Sequence, residues 1–211
     1  EDTADVPNNS LISIVDDDDS LREALVGLVR SLGYRAGGYA TAEALLAAGD
    51  VVAITGTSSD SAVKAAHRLG AACSDPGRVE GIVCDVRDPA AVELAVRTVV
   101  ARFGGLDALV NNAGVGIGGP IADLPIDEWN RIIGVNLTGA YHCCRAAIPH
   151  LRTRGGGWIV NVASLAAKNA FVGGAAYCAS KAGLLAFSEV LMQELRYDNI
   201  RVTCVMPGSV A

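Results

Sequence analysis

Short apolar runs alternate with longer amphipathic stretches along the whole chain. Apolar runs of this kind are typical of parallel strands that are buried on both faces of a sheet. They lie at residues 11–15, 51–55, 81–84, 107–110, 158–162 and 201–205, with a weaker candidate at 34–39. Strands that alternate with helices predict an α/β fold, here a doubly wound and mostly parallel sheet of about six to seven strands with helices on both faces.

Helical periodicity fills the segments between these runs. Ser20 and Gly33 mark the ends of one helix, and Pro89 and Gly104 mark the ends of another, because these residue types favour helix starts and stops. Longer helical patterns cover residues 126–151 and 175–195. No linker or repeat interrupts the pattern, and we therefore predict a single α/β domain over residues 1–211.

Composition and charge exclude several classes of function. The chain has 211 residues, 51% hydrophobic and 19% charged, with a net charge of −6 and a pI near 5.0. The basic residues are scattered, so we exclude a nucleic-acid partner. The first ten residues are acidic and polar, unlike a signal peptide, and no apolar run approaches the ~20 residues needed to cross a bilayer. We expect a cytoplasmic protein without membrane association.

Two groups of residues bear on metal binding. The six cysteines fall in apolar segments without CxxC spacing, and only three histidines accompany them, so we predict buried thiols rather than ligands or disulfides. Asp16 to Asp18 follow the first apolar run, and such a cluster can bind a hard cation. A solvated acidic strand end is the better interpretation, and we assign no metal site.

Tyr177 and Lys181 are the first candidates for chemistry. They lie four residues apart in the predicted helix 175–195, so they share one face. An ammonium beside a phenol favours the phenolate and brings its pKa toward neutral pH, as a proton-transfer site requires. A surface Tyr and Lys pair also occurs by chance. Ser164 lies just beyond a strand end, where it is either a substrate-binding hydroxyl or a helix cap.

Several segments together resemble the short-chain dehydrogenase/reductase family over residues 80–211. "CDVRDPAAVELAV" resembles its third strand with the adenine-contacting Asp, here Asp85. "LDALVNNAG" resembles its fourth strand with the following turn, and "EWNRIIGVNLTGAYHC" the helix that carries a catalytic Asn. "YCASK" is the family's YxxxK, and "VMPGSV" resembles the segment beneath the nicotinamide. The order and spacing of these segments make the resemblance specific.

The resemblance implies a hydride transfer between NAD or NADP and a secondary alcohol or ketone. It implies that Tyr177 transfers the proton, Lys181 lowers its pKa and holds the nicotinamide ribose, and Ser164 orients the carbonyl. Asn136 would support a water relay to Lys181. The implied cofactor-binding residues are Gly56, Asp85, Val86, Asn112, Ala113, Gly114, Tyr177, Lys181, Pro207 and Gly208. The resemblance also places Asn111, the first residue of the same turn, against the cofactor.

The segment 51–72 departs from the family's glycine-rich loop, TGxxxGxG. Thr55 and Gly56 fit, but Asp60 and Ala62 stand where the second and third glycines belong. Those glycines let the backbone approach a diphosphate, and an aspartate adds a like charge. If this segment is that loop, cofactor binding is weak.

A second resemblance offers another explanation, which we favour at this stage. Residues 11–72 resemble a response-regulator receiver domain, with Asp16 to Asp18 as its acidic cluster and Thr55 as its switch hydroxyl. The strand that bears a phosphorylated Asp is missing between Asp50 and Val51. On this interpretation the chain is a natural or engineered chimera, with a receiver-like segment at 11–72 and a dehydrogenase part at 80–211 within one domain.

Three functions therefore stay open: an oxidoreductase, an inactive scaffold, and a receiver-type signalling module. The dehydrogenase family usually continues beyond "PGSVA" into a segment that covers the substrate, so we interpret that part as truncated. The alcohol or ketone substrate is therefore unreadable, as is the choice between NAD and NADP. A homo-oligomer remains open.

Overall fold

In a computed structural model of the chain, the described residues are 51–72, 76–116 and 118–208. They contain five strands: β1 Val52–Gly56, β2 Val79–Val83, β3 Ala108–Asn111, β4 Gly157–Val162 and β5 Ile200–Val205. The main helices are α1 Ser59–Ala72, α2 Pro89–Phe103, α3 Ile126–Ile133, α4 Ala140–Arg154 and α5 Ala175–Leu195. Strands and helices alternate, as predicted for this part of the chain.

The strands form two parallel sheets within the described residues. β1 pairs with β2, with Val52 opposite Val79 and Gly56 opposite Val83. The other sheet has the order β3-β4-β5. Every pair is parallel, which requires the helical crossovers seen between consecutive strands. The parallel α/β architecture is therefore confirmed, while the predicted elements at 11–15, 20–33 and 34–39 lie outside the described residues.

Helix α2 shows how local sequence sets the element boundaries. Asp88 caps it, since its carboxylate accepts a hydrogen bond from the amide of Ala90 at 2.9 Å. Pro89 occupies the first turn, where a missing N–H costs nothing. Gly104 ends the helix with φ of 80°, a left-handed conformation that glycine adopts without strain. The predicted helix 89–104 is thus correct to one residue.

The main core lies between the three-stranded sheet and helices α4 and α5. Ile159 of β4 is fully buried among Leu151 of α4, Leu195 of α5 and Ile200 of β5. Burial of one such side chain contributes about 1.5–3 kcal/mol. This packing fixes α5, and with it the face that carries Tyr177 and Lys181, against the sheet.

The predicted helix 126–151 is interrupted in its middle. Residues Gly134–Gly139 form a π-helical turn between α3 and α4, and the helix continues to Arg154. A Cβ on Gly139 would lie 2.6 Å from the Cγ2 atom of Val86, so the absent side chain permits a close approach to the segment after β2. Wide turns of this kind occur often at functional sites, and Asn136 lies within this one.

None of the helices in the described ranges has the length and apolar character that a bilayer span requires. Within the same residues, no three His, Cys, Asp or Glu side chains gather as a metal site would require. The five cysteines that the structure describes are free thiols, buried or half-buried, whereas Cys73 and the acidic run 16–18 lie outside it.

Candidate active site

Helix α5 places Tyr177 and Lys181 one turn apart at the carboxyl end of β4. Lys181 is only 4% exposed, and its Nζ donates a hydrogen bond to the carbonyl of Val162 at 2.7 Å. The same Nζ lies 5.8 Å from the centre of the Tyr177 ring. The ammonium and the phenol are therefore neighbours, and the strand end holds the ammonium in place.

Burial alters the acid–base behaviour of this lysine. It lowers the pKa of Lys181 from 10.5 to about 8, and the nearby Cys204 acts in the opposite direction. Desolvation disfavours the charged form of a buried amine, which explains the direction. Lys181 is therefore an ammonium at neutral pH and loses that charge in mildly alkaline solution.

Asn136 is fixed by three hydrogen bonds in the π-helical turn. It is 1% exposed, and its Oδ1 accepts from the amide of Val115 at 2.8 Å. Its Nδ2 donates to the carbonyl of Val115 at 2.9 Å and to the hydroxyl of Ser180 at 3.0 Å. Ser180 in turn donates to the carbonyl of Tyr177 at 2.7 Å. The side chain of Asn136 therefore links the turn after β3 to helix α5.

The turn after β3 approaches Lys181 and Asn136 at Gly114. A Cβ on Gly114 would lie 3.5 Å from the Lys181 Nζ and 3.7 Å from the Asn136 Oδ1. Asn112, Ala113 and Gly114 are exposed, so their backbone is open to a ligand. Asn111, which precedes them, is buried and donates to Asn161 of β4 at 2.8 Å, which anchors the turn.

Ser164 lies just after β4, beside the segment that follows β5. Its hydroxyl caps a short 3-10 turn and accepts a hydrogen bond from the amide of Ala166 at 3.1 Å. The next amide, of Leu165, donates to the carbonyl of Pro207 at 2.8 Å, and Gly208 packs against the Leu165 side chain. Both roles considered for Ser164 remain open, because a capping hydroxyl keeps its own proton available.

Asp85 and Val86 follow β2, at the other sheet. The carboxylate of Asp85 is held by the guanidinium of Arg87, and these hydrogen bonds lower the pKa of Asp85. The carbonyl of Val86 lies 2.9 Å from the Nδ1 of His142 in α4. The carbonyl of Gly56, at the end of β1, accepts from the amide of Cys84 at 2.8 Å. This segment is thus tied both to β1 and to the helix that follows Asn136.

Asp60 and Ala62 lie in the first turns of α1. Asp60 pairs with Lys64 at 2.8 Å on the exposed side of the helix. Ala62 is fully buried and faces β2, where a Cβ on Gly81 would collide with its carbonyl. The two residues thus serve the packing and the surface of α1.

The structure brings the predicted residues together in three groups. Direct contacts or close approaches join Tyr177, Lys181, Asn136 and Gly114, and Ser164 with Pro207 and Gly208 lies at the adjoining strand end. Gly56, Asp85 and Val86 form the third group, where β1 and β2 end. Sequence reasoning missed Ser180 and Arg87, although each stands within two residues of a predicted site residue. The sequence could have indicated both residues, because Ser180 directly precedes Lys181 and Arg87 lies two residues after Asp85.

Comparison with known proteins bears on this arrangement. The family model described as short chain dehydrogenase matches residues 32–211. D-threitol dehydrogenase from Mycolicibacterium smegmatis is 38% identical over 173 residues, which are 82% of this chain and 65% of that protein. D-beta-hydroxybutyrate dehydrogenase from Rhizobium meliloti is 34% identical over 82% of this chain and 67% of its own length.

Solved structures show the same relationship. A short-chain dehydrogenase from Streptomyces avermitilis superposes with a TM-score of 0.73 and 36% identity, over 81% of this chain and 60% of that one. NAD+-bound xylitol dehydrogenase gives a TM-score of 0.70 and 34% identity, over 75% of this chain and 60% of that one. The chain therefore has a Rossmann-like fold and spans about two thirds of the length of the curated relatives.

The family match also revises the interpretation of the amino-terminal third. It includes residues 32–72, and with them β1 and α1, which we had favoured as part of a receiver domain. The receiver resemblance and the chimera gain no support from this result, and the acidic cluster on which they also depended lies outside the described residues. The chain belongs to the short-chain dehydrogenase family.

Proposed function

We propose that the protein is an NAD(P)-dependent oxidoreductase that transfers hydride between a dinucleotide and a secondary alcohol or ketone. The observation that carries this proposal is the buried ammonium of Lys181, held beside Tyr177 and against the open turn at Gly114. Burial of a cation costs free energy because the cation loses its hydration, and groups buried in this way cluster at functional sites. In this proposal the ammonium of Lys181 faces a bound ligand.

The residues present fit a nicotinamide dinucleotide. The turn at Asn112 to Gly114 is exposed, and a side chain at Gly114 would fill the space between Lys181 and Asn136. Lys181 would hold the ribose next to the nicotinamide, and Pro207 and Gly208 would support the ring from the segment after β5. When bound, the nicotinamide supplies or accepts the hydride.

Four side chains have distinct roles in this proposal. Tyr177 transfers a proton to or from the substrate oxygen, and Lys181 stabilises the phenolate through its positive charge. Ser164 donates a hydrogen bond to the same oxygen. Asn136, fixed by Val115 and Ser180, maintains the π-helical turn through which a water can reach Lys181.

The pairing of β1 bears on the weak binding that we predicted. In the strand order 3-2-1-4-5-6, the third strand pairs only with the second. β2 resembles the third strand and pairs directly with β1, so we propose that β1 occupies the second position. Asp60 and Ala62 then lie away from the diphosphate, and weak binding no longer follows from them. Gly56 remains a cofactor-binding residue in this proposal, at the end of β1 beside Cys84.

The names of the relatives support the substrate class. D-threitol, D-beta-hydroxybutyrate and meso-2,3-butanediol dehydrogenases each act, by name, on a hydroxylated small molecule. We therefore propose a small secondary alcohol or the matching ketone as the substrate, and either NAD or NADP as the cofactor. The described residues give the receiver-type alternative no supporting observation.

The test combines turnover with a matched pair of tyrosine variants. Purified protein is assayed with NADH and NADPH against a panel of small ketones, and with NAD+ and NADP+ against polyols and hydroxy acids. Tyr177→Phe should abolish turnover with unchanged circular dichroism, because only the transferable proton is lost. Tyr197→Phe, at an exposed ring away from the site, should leave turnover unchanged. Dinucleotide binding without turnover would indicate the scaffold function, and full turnover in Tyr177→Phe would refute the proposed chemistry.

A further inference from the structure

The segment that joins Ser164 to helix α5 exposes several apolar side chains. Leu165 is 44% exposed, Phe171 is 54% exposed and Val172 is fully exposed. A single exposed apolar side chain is normal, but a group of them beside a site is typical of a ligand surface. The segment begins after Ser164 and ends shortly before Tyr177. Its contacts with these two residues therefore bear on what the site can bind.

Phe171 lies beside the ring of Tyr177. The two ring centroids are 6.5 Å apart, and the ring planes are inclined by 50°. Aromatic rings at this distance attract each other. About half of the Phe171 side chain remains exposed. The phenol thus has an apolar neighbour with surface left over for contact with a ligand.

The backbone around Phe171 holds its ring in place. A Cβ on Gly174 would lie 2.6 Å from the Cε2 and Cζ atoms of Phe171, so the ring lies against the backbone at the start of α5 where no side chain intervenes. The amide of Gly174 donates to the carbonyl of Phe171 at 3.1 Å. The carbonyl of Gly173 accepts from the amide of Gly119 at 2.9 Å, which ties this segment to the one that follows β3.

The segment after β3 also approaches Tyr177, but without a side chain. A Cβ on Gly116 would lie 3.5 Å from the Cδ2 atom and 3.6 Å from the Cε2 atom of Tyr177. Gly116 is exposed, so the space beside this edge of the phenol is open. A substrate can therefore approach the phenol past Gly116, whereas a substituent directed toward residue 171 meets an apolar ring in a fixed position.

We propose that Phe171 is a specificity-determining residue that contacts a substituent on the reacting carbon and selects an apolar one. This inference rests on the proposed function, because it takes Tyr177 as the residue that binds the substrate oxygen. A hydroxyl on that substituent would lose its hydration against the phenyl ring without gaining a partner. An alkyl or aryl substituent instead removes apolar surface from water. The substrate class is then a ketone with an alkyl or aryl substituent, or the matching alcohol, rather than a polyol.

The experiment compares kcat/KM for two ketones of similar size. They are methyl propyl ketone and methyl hydroxyethyl ketone, in which a hydroxyl replaces the terminal methyl group, and the reductant is NADH or NADPH, whichever supports turnover. The ratio of the propyl to the hydroxyethyl value should fall about tenfold in Phe171→Ala relative to the wild type, the scale that one methylene group has in an apolar pocket. The loss should appear as a higher KM for the propyl ketone at unchanged kcat, because the contact is equal in bound substrate and transition state.

Two further variants separate contact with the substrate from support of Tyr177. Phe171→Leu keeps an apolar side chain but removes the aromatic contact with Tyr177, so it should retain most of the ratio. Tyr197→Ala removes an exposed ring just beyond the other end of α5 and should leave both kcat/KM values unchanged.

The outcomes distinguish this inference from the proposed function. An unchanged ratio in Phe171→Ala, or an equal loss for both ketones through kcat, overturns the specificity role, while the oxidoreductase proposal stands if turnover still requires Tyr177. Absence of turnover by the wild-type protein with every ketone and alcohol tested overturns both. A ratio that falls in Phe171→Ala but persists in Phe171→Leu and Tyr197→Ala supports the role of Phe171.

Discussion

Replacement of Lys181 by methionine should make the protein inactive and should change how its stability depends on pH. The pKa of Lys181 falls from 10.5 to about 8 on burial. At about 1.36 kcal/mol per pKa unit, the charge on Lys181 destabilises the folded state by about 3 kcal/mol below pH 8. The unfolded chain binds more protons between these two values. Stability contributed by this group therefore rises with pH across that window.

The pH dependence isolates this effect from other consequences of the substitution. Methionine loses the hydrogen bond from Nζ to Val162, but a neutral amine also donates that bond, so its loss is a constant offset. From pH 7 to pH 9.5 the wild-type protein should therefore gain about 2 kcal/mol relative to Lys181→Met, by integration of the linkage relation. The free energy of unfolding is measured by urea denaturation at several pH values.

A matched substitution supplies the control. Lys168→Met removes an exposed ammonium a few residues after Ser164 and should not produce that relative gain. If the stability of Lys181→Met changes with pH in parallel with that of the wild type, the desolvation argument is refuted. If Lys181→Met also retains turnover, the ammonium has no part in the chemistry either.

Three other substitutions test the surroundings of the site. Gly139→Ala should destabilise the fold by about 1–3 kcal/mol in urea unfolding, because its Cβ would lie 2.6 Å from Val86 and this overpacking outweighs the helix propensity gained. Ser164→Ala should lower kcat/KM by about 10²–10³, as for loss of a donor to a developing oxyanion, and a smaller loss would leave Ser164 as a cap alone. Asn161→Ala should cost about 1–3 kcal/mol in thermal unfolding because buried groups of Asn111 and Ser188 lose a partner, and an unchanged melting temperature would contradict that network.

The strands and helices were predictable where local patterns and burial agree. β3, β4, β5 and α5 begin and end within about two residues of the predicted bounds, because each is a buried run or a long helix bounded by turn residues. The wide turn at Gly134–Gly139 was not predictable from periodicity. It depends on hydrogen bonds from Asn136 to residues 21 and 44 positions away, which a helical pattern does not encode.

The amino-terminal third shows a different limit. The segment "VVAITG" fits more than one strand of an α/β protein, because a local sequence does not determine which strand pairs with it in the sheet. The interpretation of Asp60 and Ala62 as displaced loop residues depended on that missing information. Pairing of β1 with β2 supplies it, and it is a property of the folded chain.

Because of the π-helical turn, the fold is sensitive to the deletion of a single residue between Gly134 and Gly139. A wide turn holds one residue more than a regular turn, so the helix after it is rotated by about 100° relative to an uninterrupted α-helix. Cys144, Ala147 and Leu151 of α4 are buried in the core cluster with Ile159 of the sheet, in the helical register that follows this turn. Deletion of a single residue between Gly134 and Gly139 would restore a regular helix and turn this apolar face toward solvent. A gene that loses one codon here should therefore fail to give folded protein, whereas a point substitution at an exposed position of α4 should not.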